Sequence, residues 1–519
     1  MNFQNKKSQL LAALDDKSTA HFNTEGSWSW FIKGDVSGIQ DFIFSIKSDK
    51  ASKQLKARSQ FVEKQTVKAL EKINAQFSFK EVYNGGGNFY GLIENISDAQ
   101  FKTLESSLNK DLIQRDLYLA LSKTSVVGVD LKNFDSVWKA VQVASVKDKF
   151  KKYSYTTDDN NEDFDAVFNA YANAEKPIES DKGDKKDKLA LWRQDLRIKH
   201  ARLIAEFEED DKEKTPKERI AVHNDNIIEF RYLAAFAKER TGTEKLAVLK
   251  MDVDSLGDTF TQRKELIAVK GLSDSIKWFF DDYFEELLEK PFPRQNTEGG
   301  KFQDNIYVVF AGGDDCFMVG AWDAVFEFAK VIHDSFKEFT NDRLRLSASL
   351  TVIDEKYPVI RFARLAEDAL KNAKELVKEG ETNPSKNKIS VFNQVLEWDE
   401  YNDALDIAHK LEDLIKNKGE SRAIIERIKQ SRTGFEKLQN KVKAGFLKAQ
   451  EVWRLQWFLR SSKNKEEMQK LLDKYHSLLL KAATSDKKTN PIIFPVAARW
   501  AEFLTKNKAD YVNPDSDNQ

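Results

Sequence analysis

Apolar positions along the chain fall into two stretches that repeat one plan. The first opens with WSWFIKGDVSGIQDFIF, Trp28 to Phe44, and the second with KLAVLKMDVDSLGDTF, Lys245 to Phe260. Each is an apolar run that reaches an aspartate, Asp35 or Asp252, and then a polar turn with glycine, the pattern of a buried strand ending in a loop. VYNGGGNFYGLI, Val82 to Ile93, comes next in the first stretch, and VVFAGGDDCFMVG, Val308 to Gly320, in the second. Both read as hairpins, because glycine pairs permit the φ > 0 turns that tight hairpins need. Between strand and hairpin the apolar spacing is helical: Val62, Thr66, Ala69, Leu70 and Ile73 in one copy, and Ile276, Phe279, Phe280, Tyr283, Phe284, Leu287 and Leu288 in the other. The second copy continues with RLRLSASLTV, whose Leu344, Leu346, Ala348, Leu350 and Val352 alternate as in a strand. A helix bearing Phe362, Leu365, Ala366, Ala369, Leu370, Ala373 and Leu376 comes after it, and KISVF closes the unit. The predicted order is β-α-β-β-α-β, so the fold class is α/β (α+β) with two ferredoxin-like palm domains.

The predicted division is an N-terminal segment 1–27, a first palm 28–150, a charged linker with helices 151–240, a second palm 241–397 and a separate C-terminal helical domain 398–519. Within the linker, Tyr155 to Leu189 is polar and charge-rich and reads as a long loop. The C-terminal part includes EVWRLQWFLRSS and NPIIFPVAARWAEFLTK. The length of 519 residues suits several cores, and 41% apolar with 32% charged residues suits a globular chain. Formal net charge is −1, so no overall basic field advertises nucleic acid. KSDKASKQLKAR, Lys47 to Arg58, is a local basic cluster that reads as a solvated loop, with RNA contact as the other reading. The single cysteine, Cys316, excludes a disulfide framework and fits a reducing cytoplasm. Neither a secretory signal nor an apolar run long enough for a membrane span is evident.

The chemistry concentrates at the second hairpin. Asp314 and Asp315 are adjacent like charges at a tip, which resist burial unless something compensates them. In a ferredoxin-like sheet the first strand lies beside the central hairpin, so Asp252 is expected next to them, with Asp254 close by. Converging carboxylates suit a two-metal site of Mg²⁺ or Mn²⁺, in which nucleotidyl transfer needs no cysteine or histidine nucleophile. A Gly-Gly-Asp-Asp alone in a loop is usually an ordinary turn; flanking apolar strands and the preceding Asp-x-Asp strand end favour a metal site. The expected metal-binding positions are Asp252, Val253, Asp314 and Asp315. The first copy has Gly85, Gly86, Gly87 and Asn88 at its tip and Asp35 alone, so it is read as a nucleotide-binding partner without two metals.

GDVSGIQDFIF and DVDSLGDTF, with NGGGNF and AGGDDCF, resemble the large polymerase-palm subunit of type III CRISPR–Cas effector complexes, closest to the III-A and III-D variants. Either motif set alone also suggests the wider class of GGDEF-type nucleotidyl cyclases. The resemblance implies an ATP-using enzyme in a crRNA-guided complex, in which target RNA switches on synthesis of cyclic oligoadenylates. Its implied partners are crRNA, target RNA, a small helical subunit and backbone subunits, with no membrane. It implies catalytic Asp252, Asp314 and Asp315 with Gly312 and Gly313 shaping the turn, and a nucleotide-facing loop at Ser37, Gly38 and Gln40. Lys374 and Lys388 fall where relatives keep lysines near the triphosphate; ordinary solvated lysines are the other reading. Many relatives begin with an HD nuclease domain and carry a cysteine-rich zinc insertion; neither is expected here. His333-Asp334 lies in DAVFEFAKVIHDSFKEF, whose apolar spacing marks a core-packing helix. Three rivals remain: transfer of AMP to another acceptor such as S-adenosylmethionine, a catalytically silent scaffold subunit, and a free-standing cyclase.

Overall fold

Two sheets that share one four-stranded antiparallel plan lie against each other in the computed structural model, which describes residues 2–18, 26–46, 51–152, 229–294, 300–376, 385–429, 462, 464–483 and 492–506. After α1 (Phe3–Leu14) the first unit runs β1 (Trp30–Ser37), α2 (Ile39–Phe44), α3 (Ala51–Gln76), β2 (Phe79–Gly85), β3 (Asn88–Ile93), α4 (Asp98–Asn109), β4 (Tyr118–Ser125) and α5 (Asp135–Lys149). Its strand order is β2-β3-β1-β4, that of a ferredoxin-like sheet. Serine starts α4 where a capping box requires it: the Ser97 side chain accepts from Gln100 N–H, and the Gln100 side chain accepts from Ser97 N–H.

The second unit runs α6 (Phe230–Thr241), β5 (Leu246–Val253), α7 (Leu256–Thr261), α8 (Leu266–Trp278), a π turn (Phe279–Tyr283), α9 (Phe284–Leu288), β6 (Ile306–Gly312), β7 (Asp315–Ala321), α10 (Trp322–Thr340), β8 (Leu346–Ile353), α11 (Val359–Glu375), β9 (Lys388–Val391) and β10 (Gln394–Glu397). Strands β8-β5-β7-β6 repeat the first sheet, and β9 and β10 extend it to six strands. One expectation changes here. The expected core-packing helix DAVFEFAKVIHDSFKEF is α10, directly after the hairpin, and β8 rather than KISVF is the fourth strand of the ferredoxin-like core. β9 then pairs parallel to β8, which α11 makes possible as the crossover helix.

Among the described residues after the second unit are the helices α12 (Trp398–Lys416), α13 (Lys465–Ala483) and α14 (Ile493–Leu504). The C-terminal helices do not stand apart as expected. Trp398, Tyr401 and Trp500 share one continuous apolar core with Met251, Cys316 and Phe326 of the second unit, and Trp500 meets Phe326 edge-on at 4.8 Å. α1 joins the same core through Leu10 and Ala13. His333 confirms the packing role of α10: its ring stacks on Trp398 at 4.1 Å. The expected linker loop and EVWRLQWFLRSS lie almost wholly outside the described residues.

Period-two alternation sorts β5 between two cores. Ala247, Leu249, Met251 and Val253 face the core shared with the C-terminal helices, while Leu246 and Val248 face a core shared with the first unit. That second core joins Ile32 and Phe89 to Val309 and Phe317, with Phe44 and Phe317 rings 4.6 Å apart. Lys250 and Asp252 therefore point to the face covered by α11. The described part of the Lys47–Arg58 cluster, from Ala51 on, is helix rather than loop, and Arg58 is buried with its guanidinium donating to the Phe42 and Ser45 carbonyls at the end of α2. A planar five-donor head can satisfy such helix-end carbonyls, so this arginine is structural.

Candidate active site at the facing hairpins

The register of β5 against β7 places Asp252 directly opposite Asp315. Directly opposed residues of an antiparallel pair share one face, with Cβ atoms about 5 Å apart. The β6–β7 turn pairs Gly312 with Asp315 and leaves Gly313 and Asp314 at its centre. Gly313 has φ +68°, the left-handed first position that a type II′ hairpin reserves for glycine. Val253 N–H donates to the Asp314 carbonyl at 3.0 Å, fastening the tip to the end of β5.

These acids are poorly compensated. Burial, then repulsion from Asp252, pushes Asp314 up to about 6. Burial, then Asp314, pushes Asp315 up to about 8, with Asp252 and Glu367 adding repulsion and Lys250 opposing it. Lys374 of α11 pairs with Asp252, and Lys250 pairs with Glu367. Four carboxylates (Asp252, Asp314, Asp315, Glu367) face two ammonium groups, an unneutralised negative pocket that suits a hard divalent cation. Among the described residues no three carboxylate, histidine or cysteine side chains converge into a complete metal cage. Asp252 and Asp315 stand opposite each other across β5 and β7, with Asp314 beside them at the turn. Asp254 is not part of this group. Its carboxylate turns to Ser347 Oγ, at 2.7 and 2.9 Å, and accepts from Asn387 N–H at 2.8 Å. Lys388 is buried, and its Nζ donates to the Leu376 carbonyl at 3.1 Å.

The first unit repeats the register with different chemistry. Asp35 stands opposite Asn88, the positions equivalent to Asp252 and Asp315. Asp35 is neutralised by Lys33 at 3.0 Å and Lys149 at 2.8 Å, and the Asn88 amide, oriented to donate, lies 3.3 Å from its carboxylate. No excess negative charge remains to attract a cation. Gly86 and Gly87 both have positive φ, which makes the β2–β3 turn a type I′ hairpin. Ser37, Gly38 and Gln40 lie at and just beyond the end of β1: Ser37 Oγ is buried, Gln40 is exposed, and Gly38 has φ +86° with the Asp116 carbonyl only 2.8 Å from where a Cβ would stand.

Sequence reasoning missed how the two tips meet. A Cβ on Gly313 would stand 3.4 Å from Gly86 Cα and 3.0 Å from the Tyr83 hydroxyl, so the two glycine turns touch. Lys277 of α8 reaches across to the Asn84 carbonyl. Beside the tips a cleft of about 450 Å³ opens between the two units, lined by residues of both and by Asp314. Asp281, on the π turn, lies 3.2 Å from a Cβ placed on Gly312. Burial pushes Asp281 up to about 7; Lys277 opposes this, and Glu63 and Asp282 add to it. A carboxyl raised in the folded state holds its proton between the ordinary value and 7, so its contribution to stability is lost as pH rises through 7. Asp281→Asn should therefore shrink the loss of stability between pH 5 and pH 8.5 by on the order of 2–4 kcal/mol, measured as urea midpoints at both pH values. An unchanged difference between the two midpoints would refute it.

Residues 245–388 match the family model described as Cas10/Cmr2, second palm domain, and residues 29–169 match Csm1 subunit domain B. A Methanocaldococcus jannaschii protein named CRISPR system single-strand-specific deoxyribonuclease Cas10/Csm1 (subtype III-A) is 28% identical, over 77% of this chain and 64% of that protein. A Mycobacterium tuberculosis protein of the same name is 23% identical, over 76% of this chain and 58% of that one. The chain thus spans about 64% and 58% of the length of these curated relatives. Among solved structures, a Csm1–Csm4 cassette in complex with cA3 aligns with TM-score 0.64 at 19% identity, covering 95% of this chain and 72% of that chain. The same cassette in complex with pppApA aligns at 0.63 and 19%, covering 92% and 69%. These two likenesses show the shared fold. No helix among the described residues is long and apolar enough to cross a membrane. Together the family-model and relative matches support a type III Cas10 subunit.

Proposed function

We propose that this chain is a nucleotidyltransferase subunit of an RNA-guided type III complex that joins ATP into cyclic oligoadenylates when target RNA binds. The observation that carries the reading is the register pair Asp252–Asp315 beside Asp314 at a glycine-shaped tip, an acid cluster with too little positive charge around it. Asp252, Asp314, Asp315 and the Val253 carbonyl would hold Mg²⁺ or Mn²⁺, which would supply charge neutralisation for the triphosphate and the departing pyrophosphate. The chain's own work is positional. The Gly313 turn presents two carboxylates at one edge, Val253 N–H keeps the tip in place, and Lys374 guards Asp252 with a cation that can turn to a phosphate oxygen. The 3′-hydroxyl of one nucleotide attacks the α-phosphorus of another, and pyrophosphate leaves. The first unit, with Asp35 locked by two lysines, serves as a binding partner without metal of its own.

The structures named for Csm1–Csm4 cassettes with ATP and AMPPNP belong to other proteins; they support nucleotide use and a Csm4-like neighbour here as part of the proposal. crRNA, target RNA and further backbone subunits enter on the same footing. The reading includes no zinc and no HD-type nuclease step. The altered first tip, Asp35 with Asn88, favours one second reading, in which the same chemistry joins AMP to a different acceptor such as S-adenosylmethionine. Labelled ATP incubated with the complex and target RNA, with and without S-adenosylmethionine, separates them. Cyclic oligoadenylates and pyrophosphate are expected from the wild type and neither from an Asp314→Ala, Asp315→Ala variant. A product formed only with S-adenosylmethionine would move the assignment to the second reading, and no pyrophosphate at all would leave a scaffold.

A further inference from the structure

The acids at the second tip do not share their compensating groups evenly. Asp252 has Lys374, and Lys250 opposes the rise at Asp315. Asp314 has its own backbone N–H and the charge of Lys374, which is already paired with Asp252. A carboxylate that binds a metal is ordinarily hydrogen-bonded in turn by a donor that fixes its orientation. The first unit brings such a donor to the turn. The hydroxyl of Tyr83, on β2, is the atom nearest to a Cβ placed on Gly313, at 3.0 Å, ahead of Gly86 Cα at 3.4 Å. Tyr83 and Asp314 line the same cleft. Gln142 and Asn88, on the same wall as Tyr83, are committed elsewhere: Gln142 Nε2 donates to Tyr90 OH at 3.1 Å, its Oε1 accepts from Lys33 at 2.9 Å, and the Asn88 amide faces Asp35. Burial, then the charge on Asp314, pushes the Tyr83 phenol well above its ordinary value, so it keeps its proton and stays a donor. Lys277 fastens the neighbouring residue to the second unit by donating to the Asn84 carbonyl.

We propose, resting on the metal-binding reading above, that Tyr83 is a positioning residue for Asp314: its O–H donates to the Asp314 carboxylate and fixes the orientation in which that carboxylate meets a divalent cation. The acid cluster of the second unit is then completed by a side chain of the first. A phenol suits this place better than a lysine. It orients the carboxylate without adding a positive charge that would compete with the cation. The meeting of the two glycine turns gains a chemical purpose, because Gly86 and Gly313 let the backbones approach closely enough for a hydroxyl of one hairpin to serve an acid of the other. The equivalent acid of the first unit needs no such donor, since Lys33 and Lys149 already hold Asp35.

The test is the Mn²⁺ affinity of the full-length chain, measured by electron paramagnetic resonance with a non-hydrolysable ATP analogue present, for the wild type, Tyr83→Phe and Tyr90→Phe. Melting temperature in chelator is the second readout. Tyr83→Phe removes the O–H alone and keeps the ring that packs on Tyr90, 6.0 Å away. It is expected to weaken Mn²⁺ binding roughly 10-fold, as loss of an outer donor to a metal ligand does, with the melting temperature in chelator unchanged. Tyr90→Phe removes a hydroxyl that serves Gln142 and is expected to bind Mn²⁺ as the wild type does. Unchanged Mn²⁺ affinity in Tyr83→Phe would overturn this role and leave the metal site standing. The same loss of affinity in both variants, with a lower melting temperature in chelator, would also overturn it, making Tyr83 a packing residue. Absence of saturable Mn²⁺ binding in the wild type would sink the metal-binding reading itself, and this role with it.

Discussion

Asp315→Asn is expected to cut pyrophosphate release from ATP by roughly a thousand-fold while making the cation-free chain more stable. The two effects have one cause. Asp315 stands opposite Asp252 and next to Asp314, and directly opposed like charges destabilise a sheet. Burial and this repulsion raise its carboxyl to about 8, so ionisation there costs folding free energy. An asparagine keeps the shape and removes the charge. The first unit already carries that arrangement, with Asn88 opposite Asp35. Melting temperature in chelator at pH 8 should rise by about 2–4 °C, the equivalent of about 1 kcal/mol in a chain with domains of this size. Added Mg²⁺ or Mn²⁺ should stabilise the wild type and leave the variant little changed. A variant that lost activity and stability together would mean that Asp315 is a structural residue.

Gly313→Ala should be far more damaging than Gly312→Ala. Gly313 has φ +68°, and its Cβ would meet the Tyr83 hydroxyl at 3.0 Å and Gly86 Cα at 3.4 Å. Left-handed backbone costs a non-glycine residue about 1–2 kcal/mol, and crowding against the backbone of the other turn adds about 1–3 kcal/mol. Gly312 has neither problem: its nearest neighbour is one flexible carboxylate oxygen of Asp281 at 3.2 Å. Gly257→Ala, with nothing within 4 Å, is the neutral control. Urea midpoints should rank Gly257→Ala and Gly312→Ala near wild type and Gly313→Ala lower by about 2–4 kcal/mol. Equal midpoints for Gly312→Ala and Gly313→Ala would show that the tips do not meet as described.

Much of the fold is legible in the sequence because local patterns carry it. Alternating apolar residues ending at Asp35 and Asp252 locate β1 and β5, and the glycine pairs locate both turns. Strand order puts Asp252 next to the Asp314–Asp315 tip, and the register adds its direct opposition to Asp315. Other features depend on docking between distant parts and leave no local mark. The contact of Gly86 with Gly313 arises from how the two sheets pack, and neither hairpin sequence encodes its partner. Tyr83 sits on β2, one arm of an ordinary-looking hairpin, and only the packing of the two sheets brings its hydroxyl to Gly313. Arg58 reads as part of a basic solvated cluster because sequence cannot show a guanidinium turned inward onto carbonyls. KISVF reads as the fourth strand because it has the apolar texture of one, and nothing in its residues shows that β8 already fills that place in the sheet. Asp254 looks equivalent to Asp252 because strand alternation would put the two on one face, but β5 ends at Val253, and Ser347 and the Asn387 N–H hold its carboxylate instead.

The most direct test of the central claim is Mn²⁺ binding, measured by electron paramagnetic resonance in the presence of a non-hydrolysable ATP analogue, comparing the wild type with an Asp252→Asn, Asp315→Asn variant. Saturable Mn²⁺ binding in the wild type that disappears in the variant, with analogue binding weakened alongside it, is the predicted result. Equal Mn²⁺ binding in both proteins would contradict the account.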